Sequence, residues 1–124
     1  MKTICRIILP FHIVPLWTYI NMHYRQRMRM RDDCIKLLKV CGCHEEKYAV
    51  KGKTKRSVEI ISHRLRLIRD DVNLRGGAKP LVDAMVGIRL LYDDSDKYLD
   101  ENYSQVRTAK DEESFTEIII MEGE

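Results

Sequence analysis

Three thiols and an imidazole, Cys34, Cys41, Cys43 and His44, follow one another as C-x6-C-x-C-H. These are zinc donors by type, yet structural zinc sites draw their ligands in closely spaced pairs so that both members of a tight turn reach one ion. The pattern lacks that pairing and reads as buried or incidental reduced thiols, with no metal and no cofactor expected. Asp93, Asp94 and Asp96 offer oxygens to a hard cation, but without the spaced ligands and central glycine of a calcium loop they read as a solvated acidic turn. Nucleophile elbows, H-E-x-x-H, C-x-x-C and dinucleotide fingerprints are absent. The segment Arg75-Gly-Gly-Ala-Lys79 lacks both the first glycine of a phosphate loop and the hydroxyl residue after its lysine. No catalytic residue is assigned, and the chemistry leans towards a protein that binds rather than converts.

Cations are more informative. Arg25, Arg27, Arg29 and Arg31 alternate with Gln26, Met28 and Met30, and a second basic group comprises Arg56, Arg64, Arg66 and Arg69. Both could contact the phosphates of a nucleic acid. Apolar side chains suited to a protein partner are Met22, Met28 and Met30, whose thioethers adapt to varied surfaces, and Phe115, Ile118, Ile119 and Ile120 near the end. Sequence-specific base reading and aromatic platforms for single strands are not evident. The net charge of +3 conceals a polarity: residues 1–79 hold 18 Lys and Arg against 7 Asp and Glu, and residues 80–124 hold 4 against 12. The acidic end is therefore expected to lie over the basic surface and limit access to it.

These groups need elements to position them. A chain of 124 residues, 44% hydrophobic and 33% charged, suits one domain with its own core. The absence of Gly and Pro from Leu16 to Cys41 predicts a first helix, with Trp17, Ile20, Tyr24, Met28, Ile35 and Leu38 along one side. Residues 42–54 predict a loop with a short strand at 47–50. Val58, Ile61, Leu65, Ile68 and Val72 recur at alternating steps of three and four, which predicts a second helix beginning near Lys55. Gly76 and Gly77 end it and Pro80 opens a third, running to about Leu99 with Leu81, Met85, Ile88, Tyr92 and Leu99 on one face. Gly87 suggests a closely packed neighbour there. Leu99, Tyr103 and Val106 carry a helix towards Lys110, and residues 118–121 suit a short strand or a docking peptide.

The expected fold is thus mainly α, a small bundle built on a central helical hairpin with a short C-terminal strand. It divides into an apolar N-terminal segment (1–21), a helical domain (22–110) and an acidic-apolar tail (111–124). The run 7–20 is apolar but short for a spanning helix and carries Pro10, His12 and Pro15, so burial is favoured over membrane association. No small-residue cleavage site follows it. A cytoplasmic protein is expected, or alternatively a membrane-anchored accessory protein whose helical domain lies in the cytosol. The leading functional expectation is a regulatory protein that binds a protein partner; the main alternative is phosphate-backbone binding to nucleic acid through the basic helices.

Overall fold

The computed structural model describes residues 1–10, 18 and 20–123, and its element order departs from a helical bundle. Strand β1 (Lys2–Leu9) is followed by helix α1 (Tyr24–Val40), a short 3-10 turn (Glu46–Tyr48) and strand β2 (Arg56–Arg64). Two short helices, α2 (Asp71–Gly77) and α3 (Lys79–Gly87), then lead to strands β3 (Leu99–Arg107) and β4 (Phe115–Glu122). The strands form one mixed sheet in the order β1-β4-β2-β3: β4 runs antiparallel to both neighbours, and β2 and β3 are parallel. The chain is therefore an α/β protein, not a mainly helical one.

The main correction concerns the apolar pattern that predicts the second helix. Residues 56–64 are β2, and its register pairs Val58 with Ile120 and Ile60 with Ile118. Val58 and Ile60 point into the core, Ile61 points to the opposite face, and Leu65 and Val72 are 42% and 68% exposed beyond the strand. Steps of three and four over so short a run coincide with a stretch rich in β-branched residues, whose stiff side chains pack better on a pleated surface. A strand held between two neighbours also hides polar residues that sharpen alternation elsewhere. Arg56, Ser57 and Ser62 are buried here.

The predicted third helix shortens for a local reason. Leu81 and Met85 are buried on α3 as expected, but the helix stops at Gly87 with Ile88 as its cap and Arg89 at φ 69°. Leu90 N–H then donates to the Met85 carbonyl at 2.9 Å, the closing bond of a Schellman turn. A Cβ at Gly87 would lie 3.9 Å from Ile35 Cδ1, an ordinary contact, so the close approach expected there is absent. Leu99, Tyr103 and the exposed Val106 belong to edge strand β3. Residues 47–50 fall in and after the 3-10 turn instead of in a strand.

Helix α1 begins at Tyr24. Its cap is His23, whose Nδ1 accepts from Arg25 N–H at 3.1 Å while the Gln26 side chain accepts from His23 N–H at 3.1 Å. It ends in a second Schellman turn at Gly42, φ 80°, with Cys43 N–H donating to Leu38 O at 3.0 Å. The expected helical stretch at residues 16, 17 and 19 lies outside the described residues. Of the apolar run 7–20, Ile7, Ile8 and Leu9 form the end of β1, and residues 11–17 and 19 again lie outside the description. Among the described residues no helix is long and apolar enough to cross a membrane.

One core joins both layers. Ile7, Leu9, Val58, Ile60, Ile118 and Ile120 from the sheet meet Cys34 and Leu38 of α1 and Leu81, Ala84 and Met85 of α3. Burying a side chain of this size contributes about 1.5 to 3 kcal/mol, so the run 118–120 supplies two of the central anchors. The segment read as an acidic tail is the strand that holds β1 and β2 together.

Candidate nucleic-acid interface

Helix α1 shows its arginines because its apolar content is concentrated in its last two turns. Cys34 and Leu38 are buried and Ile35 and Leu37 half-buried, whereas the turns before Arg31 contain no buried residue. Tyr24, Arg27, Met28 and Arg31 lie at i, i+3, i+4 and i+7, hence on one face. With Asp83 of α3 they line a cleft of about 270 Å³. Tyr24 is 62% exposed there, an aromatic surface that the sequence reading overlooked and that the spacing 24, 27, 28, 31 could have revealed.

The electrostatics of this end are unbalanced. The first turn of α1 contains no acidic residue, although the positive end of a helix dipole favours carboxylates by about 0.3 to 1 kcal/mol each. Arg31 lies 3.6 Å from Asp32, and among the described residues no ion pair within 4.0 Å reaches Arg25 or Arg29. Among the described residues no ion pair within 4.0 Å joins the acidic tail to the arginines of α1: Glu117 and Glu122 pair within the sheet with Arg6, His63 and Arg56, the last of these a member of the second basic group. On the other side of the helix, Met22, Gln26, Arg29, Met30 and Asp33 line a shallower cleft of about 330 Å³.

The remaining basic residues divide. Arg56 is 4% exposed; its guanidinium donates to the carbonyls of Tyr48 at 2.7 Å and Leu90 at 2.8 Å, and to Glu122 at 3.1 Å, which makes it a buried structural cation. Arg64 Nε donates to the Arg66 carbonyl at 2.6 Å, and burial lowers its pKa. Arg66 and Arg69 are exposed in the loop after β2, not on a helix. This group is thus divided between the interior of the molecule and the loop after β2 instead of lying along one helix.

The apolar partner-binding candidates divide likewise. Ile118 and Ile120 are core residues, whereas Ile119 and Phe115 lie on the sheet face turned away from the helices, where Phe115 stacks on His63 with ring centroids 4.0 Å apart. Among the thiols, Cys43 lies near enough to Cys5 and Cys41 that both add to the effect of burial on it. Burial pushes Cys34 up to about 11, with Asp33 adding to it, and Cys43 up to about 12, while Cys41 is exposed. No group of three or more His, Cys, Asp or Glu able to hold a metal ion occurs among the described residues.

A second charged cleft adjoins the first through Asp83, and Arg75, Gly76, Lys79, Val82, Asp94, Glu101 and Tyr103 complete it, enclosing about 270 Å³. Lys79 Nζ lies 3.6 Å from Asp83 and 3.9 Å from Asp94, and Arg75 lies 3.3 Å from Glu101 and stacks 4.9 Å over the Tyr103 ring. Burial raises the Glu101 carboxyl, opposed by Arg75 and helped by Asp94 and Asp96. Its carboxylates are paired with cations, so the cleft is a closed ion-pair network beside the one lined by Arg27 and Arg31. Compared with known proteins, the chain matches no family model and no curated protein.

Proposed function

We propose that the protein binds a nucleic-acid strand along α1, with phosphates on Arg27 and Arg31, Arg25 and Arg29 flanking them, and a base against Tyr24. The supporting observation is the exposed Tyr24 ring in the same cleft as two guanidinium groups. Cations that track a backbone together with an aromatic platform form the usual pairing for single strands.

Fluorescence anisotropy of a labelled single-stranded oligonucleotide at about 50 mM salt tests it. Binding by the native chain is expected, with at least tenfold weakening by Arg27→Ala/Arg31→Ala. Tyr24→Ala should remove about 1 to 3 kcal/mol of stacking. Absence of binding, or equal affinity in all three proteins, would overturn the proposal. A second reading, a protein partner on the methionine side of α1, is favoured by the cleft of Met22, Gln26, Arg29, Met30 and Asp33. Binding there would be damaged by Met22→Asp/Met30→Asp and would change little with salt.

A further inference from the structure

The sheet has two faces, and the core lies on one. On the other, the register sets Ile8, Glu117 and Ile61 in one row across β1, β4 and β2, then Arg6, Ile119 and Glu59, then Thr3, Met121 and Ser57. Ile8 is 55% exposed, and Ile61, Ile119 and Met121 are half-buried. A sheet face turned to water normally alternates to polar residues, whereas this one carries five large apolar side chains on its three adjoining strands, Phe115 beside His63 being the fifth. Opposite charges, Arg6 and Glu59, flank Ile119 within a single row.

We propose that this face is covered by the same face of a second copy of the chain, related by a two-fold axis parallel to β4. Strands β1 and β2 each lie about 4.8 Å from β4, one on either side. The axis exchanges them: Ile8 of one copy meets Ile61 of the other, Arg6 meets Glu59, and Ile119 and Met121 meet their own counterparts. Each unlike contact is made twice, as a two-fold interface requires. The matching of charge and apolarity within each row identifies a second copy as the occupant instead of an unrelated partner. Glu117, at the centre, is already held by Arg6 and His63, so the two copies do not bring bare carboxylates together.

Across these three strands the face measures about 14 by 26 Å, roughly 370 Å² in projection. That is below the roughly 800 Å² per partner of a standard stable interface, so the dimer should dissociate on dilution. Sedimentation equilibrium of the full chain across micromolar to millimolar concentrations is the test. The native chain should approach twice its 14.7 kDa mass. Ile8→Lys alters a side chain already more than half exposed and should raise the dissociation constant at least tenfold with an unchanged circular dichroism spectrum. Adding Ile61→Glu to Ile8→Lys should recover part of the loss, because each new lysine then faces a carboxylate. A chain that stays monomeric throughout, or a dimer indifferent to Ile8→Lys, would overturn the proposal. If Ile61→Glu impairs folding, Glu59→Arg provides the alternative, placing two arginines in each row contact and again dissociating the dimer.

Discussion

At the scale of single residues, the charges that matter most to the fold are those a composition count treats as surface. Arg56 is inside the molecule, and its three hydrogen-bond acceptors come from the 3-10 turn, the segment after α3 and β4. Arg56→Met would leave two carbonyls and a carboxylate without their donor, and should cost about 3 kcal/mol in urea denaturation. Glu117 behaves differently. Burial acts to raise its carboxyl, but the hydrogen bonds and charges of His63 and Arg6 outweigh burial and hold it below the usual range. A carboxyl depressed in the folded state contributes stability above its unfolded pKa, about 4.3, and loses that contribution as the pH falls through the folded value. Glu117→Gln should therefore lower stability at neutral pH and flatten its decline in acid, as followed by thermal unfolding from neutral to low pH. An unchanged acid limb would show that the cluster is not coupled to folding.

At the scale of elements, the C-terminus of α1 and that of α3 are each set by one residue's backbone. Gly42 adopts the left-handed conformation after α1 at no steric cost, whereas Arg89 does the same work after α3 with a side chain. Arg89→Gly should stabilise the protein by about 1 kcal/mol, measured by the urea midpoint at constant slope. Much at this level was readable: the apolar end of α1, the Gly-Gly and Pro punctuation around residues 75–80, and the strand-like character of residues 118–121. The helical spacing at residues 56–64 misleads because Val58 and Ile61 fall in step with Leu65, Ile68 and Val72 beyond the strand, while the β-branched content of 56–64 favours a strand. The long-range pairing of β4 with β1 and β2 carries no local signal. This placement reverses the expectation for residues 111–124. Their removal should not uncover a basic surface but should abolish cooperative unfolding, since among the described residues β4 is the strand that joins β1 to β2. A truncated chain with a native-like thermal transition would contradict that topology.

For the whole molecule, the separation of charge along the sequence becomes a separation in space. Acidic residues from the last third neutralise cations within the sheet and around α2 and α3, leaving the N-terminal turns of α1 as a basic ridge with an aromatic ring beside it. The site was half readable: the arginine run stands out in the sequence, but Tyr24 and the adjoining Asp83 become neighbours only when α3 packs against α1. In a dimer formed through the open sheet face, two such ridges would lie on opposite outer surfaces. The measurement that tests the central claim most directly is the dependence of oligonucleotide affinity on salt. A single strand held by Z phosphate contacts should show a slope of log K against log salt of about −0.7Z. The native chain is expected to give a slope reflecting several contacts, and Arg27→Ala/Arg31→Ala a slope shallower by about 1.4, two contacts fewer. Equal slopes in the two proteins would contradict the assignment of α1 as the strand-binding element.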